Sequence, residues 1–351
     1  MSIAAVVLGA GGYVGGELLR LIDTHPELRL AAAVSATNAG NRIANSFPHL
    51  AAAYGEQSFH APAEWLNEID RGADVALFSA APHCASADLV QAALQAADAR
   101  NLNLRVVDSS ADFRYSDAAQ FAAVYGNAHP APALIDSFFC AVPEHAGNQP
   151  AQHIGHPGCF ATAALLAAVP LVASGLASGD LFITGITGST GSGRSPQAGT
   201  HHPERHGNLY AYKPLAHRHA PEIRALIAQA TGQQADINFV PHSGPFARGI
   251  YVTLQSKLSR ETSTESLQNV FRDYYRDSLF VNIADGVPRL KNVVASNFCA
   301  IGVTVAADTA VVNCAIDNLV KGAAGGAVQW MNRLWSLPEA SGLTGSPPAW
   351  T

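Results

Sequence analysis

Short apolar runs alternate with amphipathic segments through the first half of the chain. Four runs read as strands buried on both faces of a sheet: 3–8, 28–34, 75–79 and 104–108. Between them the pattern predicts helices, the clearest over 14–25 and 85–97. A late strand is expected over 138–142. Strands that alternate with helices in this way predict a parallel sheet.

The pattern changes near residue 155, where longer strands begin and some are joined by short turns. Strands are predicted over these ranges: 181–187, 236–241, 249–258, 280–283, 299–305 and 310–316. Helices are predicted over these: 159–169, 221–230, 263–276 and 317–332. The fold class is therefore α/β, with an N-terminal Rossmann-type, doubly wound parallel sheet and a second α+β domain with a mixed or antiparallel sheet.

Composition narrows the function classes. Of 351 residues, 48% are hydrophobic and 14% are charged, which excludes global disorder. The net charge of −6 argues against a nucleic-acid partner. The most apolar stretch, 161–177, is broken by Pro170 and is too short to cross a membrane. Five cysteines without a CxxC pair, and an N-terminus without a basic region, predict a cytoplasmic protein with reduced thiols.

A glycine-rich loop follows the first strand directly and opens a helix. Backbone amides at such a helix start bind a pyrophosphate, and glycines allow its close approach. The candidate cofactor-binding residues are Gly9, Gly11, Gly12, Tyr13, Val14 and Gly15. The alternative is a tight turn with only a structural role.

The end of the second strand distinguishes NAD from NADP. NAD-binding proteins usually place Asp or Glu there, to bind the ribose 2′-hydroxyl. Here the segment 35–38 reads SATN, with Arg42 shortly after. Hydroxyls from Ser35 and Thr37, together with a cation, suit a 2′-phosphate and predict NADP. The alternative is that these are ordinary loop residues.

Cys159 is predicted to lie in the first turn of an alanine-rich helix, after Pro157 and Gly158. Unpaired amides and the helix dipole stabilise a thiolate there, and the thiolate is the reactive form. The alternative is a small buried apolar residue.

Histidines and basic residues supply further candidates. His217, His219 and Glu222 precede or begin a predicted helix, where an imidazole would serve as acid or base and the carboxylate would orient it. The alternative is a solvated helix start. The loop histidines 201, 202 and 206 lack a suitably spaced third ligand, so no metal is expected.

Arg114 follows the strand 104–108, at the sheet edge where ligands bind in such folds. An arginine fork beside hydroxyls such as that of Ser110 suits phosphate. The segment 191–194, GSGR, likewise places an arginine beside a serine hydroxyl. Each could be only a surface charge.

The chain resembles the N-acetyl-gamma-glutamyl-phosphate reductase family, which is related to aspartate-semialdehyde dehydrogenase. The resemblance covers roughly residues 3–333. It rests on these segments: IGHPGCFAT (154–162), DSSADFR (108–114), HRHAPEI (217–223), RGI (248–250) and DNLVKGAAGGAVQ (317–329). The glycine loop alone is unspecific, whereas the cysteine segment with HRHAPEI and DNLVKGAA in that order is highly specific.

The resemblance implies a fold, a reaction and an assembly. An NADP-binding domain over 1–155 would be completed by 317–335, a catalytic and oligomerisation domain would span 156–316, and a loosely ordered tail would occupy 336–351. The reaction would be NADPH-dependent reduction of N-acetyl-gamma-glutamyl phosphate to the semialdehyde and phosphate, in arginine biosynthesis, through a thioacyl intermediate on Cys159. The oligomer would be a dimer or a tetramer.

The resemblance also implies residue roles. His219 is the preferred acid/base, positioned by Glu222, with His217 as the alternative. Ser110 and Arg114 would bind phosphate, and Asn318 would contact the nicotinamide. Others would lie beside the cofactor or the substrate: Gly191, Gly193, Arg194 and Arg248.

One loop departs from the family pattern. Residues 197–212, QAGTHHPERHGNLYAY, are similar to reductases that act on glutamyl or aminoadipyl phosphate linked to an acidic carrier protein, in lysine or ornithine synthesis. The three loop histidines, His201, His202 and His206, and Arg205 would then meet the carrier. The sequence therefore leaves open whether the substrate is the free N-acetyl-gamma-glutamyl phosphate or the carrier-linked acyl phosphate. A non-catalytic NADP-binding sensor is a third hypothesis, against which Cys159, His219 and Arg114 together speak.

Overall fold

The computed structural model describes residues 2–147 and 151–349, which form two compact units. The first unit comprises the described residues of 1–141, 148–156 and 323–344. The second comprises those of 142–147, 157–322 and 345–351. The predicted boundaries differ from this division, since 317–322 belong to the second unit and 336–344 to the first. Which domain binds cofactor and which is catalytic stays a prediction at this point.

The first unit is built on a six-stranded parallel sheet. Its strands are β1 (Ile3–Leu8), β2 (Leu28–Val34), β3 (Asp74–Ser79), β4 (Asn103–Asp108), β5 (Phe138–Cys140) and β6 (His153–Gly155). Its α-helices are α1 (Tyr13–Asp23), α2 (Ile43–Ser46), α3 (Ala51–Tyr54), α4 (Ser86–Arg100) and α5 (Ala118–Tyr125). The strand order is β2-β1-β3-β4-β6-β5, which confirms the predicted parallel sheet.

The strand order reverses between β1 and β3, and such a switch point is where open α/β sheets bind ligands. The glycine loop lies at the carboxyl end of β1. A core of β-strand side chains and the apolar stripe of α4, including Val90 and Ala93, fills one face of the sheet. Short β6, which the apolar pattern did not predict, pairs with both β4 and β5 and leads the chain toward Cys159.

The second unit is a seven-stranded mixed sheet covered on one face by helices. Its strands are β7 (Ala177–Thr187), β8 (Tyr210–Ala211), β9 (Ile237–Ser243), β10 (Ile250–Leu258), β11 (Val281–Ile283), β12 (Cys299–Ala306) and β13 (Thr309–Ile316). Its α-helices are α6 (Cys159–Ala173), α7 (His202–Arg205), α8 (His219–Thr231) and α9 (Thr264–Tyr274). The order β11-β12-β13-β10-β7-β9-β8 contains parallel and antiparallel pairs, as predicted.

Helix α6 continues through Pro170, where the sequence analysis ended it. All its residues from 160 to 172 are buried. A proline inside a helix leaves the carbonyl four residues earlier without its amide donor. That carbonyl, on Leu166, accepts a hydrogen bond from the Tyr275 hydroxyl at 2.8 Å. A tertiary contact therefore compensates for the missing helical bond.

The prediction of a single helix over 317–332 is wrong for the first part of that range. The segment starts as a turn, because the carboxylate of Asp317 accepts the amides of Leu319 and Val320 at 2.8 and 2.9 Å. A π-helical turn then spans Val320–Ala324, and only Gly325–Leu334 forms the α-helix, α10. Within the first unit α10 contacts β4 and α1.

The tail was expected to be loosely ordered, but residues 336–344 are packed on the first unit. Asn332 Nδ2 donates to the carbonyls of Glu339 and Ser341 at 3.2 and 2.9 Å. Leu343 is 2% exposed. Among the helices of the described ranges, none is long and apolar enough to span a bilayer.

Buried histidines make the stability of both units depend on pH. Burial lowers the pKa of His145 and His153 to about 4, and it also lowers the pKa of His25. The unfolded chain takes up these protons near pH 6.5, whereas the folded chain does not. We expect the unfolding free energy to fall as the pH drops from about 6.5 toward 4, with a slope of up to about 1.4 kcal/mol per pH unit for each of these histidines.

Urea unfolding at pH 7.0, 5.5 and 4.5 measures this slope. His153→Gln should flatten it, and the exposed His202→Gln should not. Equal stability at pH 7.0 and 4.5 would contradict the conclusion that these histidines have lowered pKa values in the folded protein.

Candidate active site

The glycine loop is packed tightly against the strand next to it. Gly9 has φ +71°, and a Cβ there would lie 2.5 Å from the carbonyl oxygen of Ala80. Only glycine tolerates both the conformation and the contact. Gly15 is similarly close to the backbone of Ala10. The loop therefore holds a fixed shape at the carboxyl end of β1.

Gly12 faces open space, unlike its neighbours in the loop. It is the N-cap of α1, where no side chain caps the amides of the first turn, which begins with Tyr13 and Val14. A Cβ on Gly12 would have one protein atom within 4 Å, the oxygen of Gly9 at 3.6 Å. An uncapped helix start beside open space fits the pyrophosphate of a dinucleotide.

A cluster of neutral polar side chains lies at the end of β2. Asn38 Nδ2 donates to Ser35 Oγ at 3.0 Å and to Thr37 Oγ1 at 3.2 Å. A Cβ on Gly11 would lie 2.6 Å from Asn38 Nδ2, so the cluster adjoins the glycine loop. The sequence analysis named Ser35 and Thr37 but not Asn38, whose type gave no separate signal.

Arg42, the predicted cation for a 2′-phosphate, pairs with Glu56. The Nη2–Oε2 distance is 3.1 Å, and both side chains are mostly exposed. Exposed ion pairs contribute little, so a phosphate dianion would compete for this guanidinium. The residue is placed near the β2 end but does not touch the hydroxyl cluster through any bond described here.

The predicted phosphate residues Ser110 and Arg114 have other partners. Ser110 Oγ donates to Asp108 Oδ2 at 2.6 Å. Burial raises the pKa of Asp108, which also accepts from Ser86. Arg114 donates from Nε to the carbonyl of His156 and from Nη2 to that of Ser109, both at 3.0 Å. These contacts fix the backbone at Ser109 and His156, and the phosphate role of Ser110 and Arg114 stays a prediction.

Cys159 is the first residue of α6, as predicted, and its side chain is partly exposed. Three other cysteines, at 140, 299 and 314, are buried. The N-cap is Gly158, whose amide donates to Glu222 Oε1 at 2.7 Å. Glu222 is fully buried, so its carboxylate holds the backbone beside the thiol. The sequence analysis assigned Glu222 only to orienting a histidine, and this backbone role was missed.

Both candidate histidines lie at the start of α8, beside the residue that follows Cys159. The ring centroids of His217 and His219 are 4.7 Å apart, and each is about 6 Å from the ring of Phe160. The amide of His219 donates to His217 Nδ1 at 3.2 Å. Burial lowers the pKa of His217 to about 4, with the charges of Arg218 and Lys213 adding to the effect. His217 is therefore neutral at pH 7, with its ring proton on Nε2.

Tyr212 is a site residue that sequence reasoning missed. Burial raises its pKa far above the usual range, and the nearby charge of Cys159 raises it further. Its ring centroid is 5.6 Å from that of His217. The hydroxyl therefore stays protonated near the thiol. Nothing in the sequence marked Tyr212 apart from its place in the 197–212 loop.

The segment after β13 is bonded to two loops of the second unit. Asn318 Oδ1 accepts the amide of Gly249 at 2.7 Å, and Nδ2 donates to Thr190 Oγ1 at 3.0 Å. Arg248 makes a two-pronged ion pair with Asp317, at 3.0 and 3.1 Å. The predicted nicotinamide and substrate contacts of Asn318 and Arg248 stay predictions, since both side chains already join these loops.

The remaining predicted residues lie on an exposed turn or on the short helix α7. Gly191, Gly193 and Arg194 lie in or just after the 3₁₀ turn Ser189–Ser192. His202, the first residue of α7, is exposed. Arg205, the last, is buried and donates from Nη1 to the carbonyls of Asn208 and Ser243. A carrier contact by these residues stays a prediction.

Within 2–147 and 151–349 no three His, Cys, Asp or Glu side chains are grouped so that they could hold a metal ion.

Known families match both halves of the chain. Residues 4–159 match the family described as "Semialdehyde dehydrogenase, NAD binding domain", and residues 159–318 match "Semialdehyde dehydrogenase, dimerisation domain". An N-acetyl-gamma-glutamyl-phosphate reductase of Acidithiobacillus ferrooxidans is 38% identical, over 97% of this chain and 98% of its own. The chain belongs to the N-acetyl-gamma-glutamyl-phosphate reductase family. It is therefore an oxidoreductase with a domain for a nicotinamide dinucleotide.

Other relatives agree with this assignment. A reductase of the same name from Methanosarcina barkeri is 37% identical, over 97% of this chain and 98% of its own. Aspartate semialdehyde dehydrogenase II from Vibrio cholerae, solved with ASA, shares the fold at TM-score 0.68 and 14% identity, over 96% and 98% of the two chains. The enzyme from Candida albicans, solved with NADP, does so at TM-score 0.66 and 16% identity, over 96% and 99%.

Gly12 offers a direct test of the cofactor site. Gly12→Ala adds a methyl group that meets no protein atom closer than 3.6 Å, so the fold should persist. The methyl group would occupy the space next to the helix start, and we expect the Kd for NADPH to rise at least tenfold. Fluorescence titration measures this. Gly286→Ala, also in open space, is the matched control, and an unchanged Kd in Gly12→Ala would refute the site.

Proposed function

We propose that the enzyme reduces N-acetyl-gamma-glutamyl phosphate to N-acetylglutamate 5-semialdehyde and phosphate, with NADPH as the reductant, as a step of arginine biosynthesis. The names of its relatives support the substrate. The observation that carries the chemistry is Cys159. It is partly exposed at the first position of a buried helix, and two imidazoles lie about 6 Å from the ring of the next residue, Phe160.

Cys159 acts as the nucleophile. The N-terminal end of α6 stabilises its thiolate through the helix dipole and unpaired amides. The sulfur attacks the acyl carbon, and the bond from that carbon to the phosphate oxygen breaks. Inorganic phosphate leaves with the electron pair, and a thioester remains on Cys159.

The aldehyde is formed from that thioester. When bound, the nicotinamide dinucleotide supplies a hydride equivalent to the acyl carbon. A proton from His219 neutralises the oxygen, which gives a thiohemiacetal on Cys159. Collapse returns that proton to the imidazole, breaks the carbon–sulfur bond and releases the semialdehyde. His217 is the alternative acid/base, and its neutral state at pH 7 suits proton acceptance better than donation.

Two further groups support this chemistry by position. Glu222 fixes the Gly158 amide and hence the direction of the Cys159 side chain. Tyr212 supplies a permanently protonated hydroxyl near the sulfur, suited to hydrogen bonding with an oxyanion. Neither group needs to change its protonation state during turnover.

NADP is proposed over NAD from the end of β2. Ser35, Thr37 and Asn38 present hydroxyl and amide groups there, and segment 35–38 has no carboxylate to repel a 2′-phosphate. Arg42 supplies the nearby cation. A 2′-phosphate would gain hydrogen bonds and charge at this site, whereas a bare ribose hydroxyl would lack its usual acceptor.

The assembly is proposed to be a homo-oligomer, a dimer or a tetramer, in the cytoplasm. A match to a dimerisation domain and the sheet face opposite α6, which exposes Phe182, support it. Light scattering of the purified enzyme would give its mass.

The reaction is tested most directly in reverse. With N-acetylglutamate semialdehyde, phosphate and NADP, we expect NADPH to form, and at least tenfold faster at equal low concentration than NADH from NAD. Absorbance at the nicotinamide band measures both rates. If no nucleotide is reduced with the free substrate, the carrier-linked acyl phosphate becomes the substrate to test. Equal rates with the two cofactors would refute the interpretation of the β2 end.

The nucleophile is tested by Cys159→Ser. An alkoxide is far harder to form than a thiolate, so we expect kcat to fall by about 10³-fold or more while NADPH binding stays within twofold. Cys84→Ser, which changes another partly exposed cysteine, is the matched control. Full activity in Cys159→Ser would exclude the covalent route, and a purely NADP-binding protein would show no turnover in any variant.

A further inference from the structure

A buried ion pair lies in the second unit, outside the proposed chemistry. Lys321 donates from Nζ to Glu144 Oε1, and the two side chains are 0% and 2% exposed. The ammonium group also lies 5.5 Å from the ring centroid of Phe280. Burying two charges costs solvation that their attraction often only balances. Such a pair therefore points to a role beyond adding stability.

Lys321 is part of the π-helical turn that touches Cys159. The turn spans Val320–Ala324, and the residue after Lys321 in this turn is Gly322. A Cβ on Gly322 would lie 2.7 Å from Cys159 Cβ and 3.1 Å from Cys159 Cα. The backbone at Gly322 therefore forms one wall of the space that the nucleophile occupies. Single π turns inside helices are frequent at functional sites.

Glu144 is linked through its neighbour to the helix that begins with Cys159. His145 Nε2 is 2.9 Å from the Tyr275 hydroxyl, which donates to the Leu166 carbonyl. That hydroxyl has its proton committed to Leu166, so the histidine is the donor to Tyr275. Leu166 is the carbonyl that Pro170 leaves without a helical partner. The segment 143–145 therefore contacts α6 on one side and the π turn on the other.

We propose that Lys321 and Glu144 are positioning residues, whose ion pair fixes the π turn so that Gly322 sets the placement of the Cys159 sulfur. Two independent connections meet in this pair. Lys321 precedes the glycine that touches the nucleophile, and Glu144 precedes the histidine whose hydrogen bonds reach α6. A charge-assisted hydrogen bond has a narrower range of lengths and angles than an apolar contact, so it defines the position of the turn more sharply.

This inference rests on the proposed function only in taking Cys159 as the nucleophile. Its test therefore includes a readout that needs no turnover: the rate and pH midpoint of Cys159 alkylation by iodoacetamide. Peptide mapping separates Cys159 from partly exposed Cys84. If Cys159→Ser kept its activity, the proposed function would fail, while the alkylation rates would still report the placement of the sulfur.

The variants are Lys321→Met, Glu144→Gln and the double variant. Each single change leaves one buried charge without its partner, and we expect the unfolding midpoint to fall by about 10 °C. The double variant removes both charges and should recover most of that loss. A positioning role predicts that its kcat and its Cys159 alkylation rate nevertheless stay at least tenfold low, with KM within twofold of wild type.

A purely structural pair predicts the opposite, because stability and reactivity would then return together. A double variant with wild-type kcat and a wild-type alkylation profile overturns the proposal. If the double variant does not fold, Glu144→Asp decides, since it keeps the charge and draws the carboxylate back by one methylene. A tenfold loss of alkylation rate in a folded Glu144→Asp supports the proposal, and an unchanged rate overturns it.

A variant at Gly322 tests the contact with Cys159 directly. Gly322→Ala places a methyl group against Cys159, so its alkylation rate should fall at least as far as that of the double variant.

The exposed pair Lys257–Asp308, on β10 and next to β13, is the matched control. Lys257→Met with Asp308→Asn should leave kcat, KM and alkylation unchanged. An equal loss in this control would mean that removing any ion pair from the unit has the same effect.

Discussion

The bond from the Gly158 amide to the Glu222 carboxylate is the contact on which the proposed chemistry depends. It joins the start of α6 to α8 inside one unit, so Cys159, the proposed nucleophile, and the two candidate imidazoles at the start of α8 belong to two helices held to each other. A carboxylate accepting a backbone amide makes a strong, directional bond when both are buried. The cysteine can then be partly exposed while the backbone beneath it stays fixed.

The same region is otherwise unusually poor in charge. Helix α6 is buried almost along its whole length, and the residues around it are largely apolar. In such surroundings each charged or polar group must find a partner, because an unpaired one is costly. Lys321 and Glu144 meet this requirement by pairing with each other, and Asp317 by accepting hydrogen bonds from Arg248 and from the backbone just after it. The polar contacts of the second unit consequently fix backbone segments, and these segments in turn place the reactive side chains.

In the first unit, backbone packing shapes the edge of the sheet. Its parallel strands are covered by helices, and its ligand edge is formed wherever β1 and β3 end. Close packing of Gly9 against Ala80 sets the shape of the loop, and Gly12 leaves its outer side open. Arg114, predicted to bind phosphate, donates from Nε to the carbonyl of His156 and so fixes the backbone within this unit.

The sequence by itself determined the class of fold, most strands, the glycine loop, and Cys159 as the first residue of a helix. These are local properties, since apolar periodicity and helix-start residues act over a few positions. It also pointed to His217, His219 and Glu222, though not to the bond that Glu222 makes. The tertiary structure alone decided the π turn at Lys321, the passage of α6 through Pro170, the burial of Arg205, and the places of Tyr212 and Gly322. Each depends on a partner far away along the chain, as Arg205 does on Ser243, or on space left by another segment, and no local pattern carries that information.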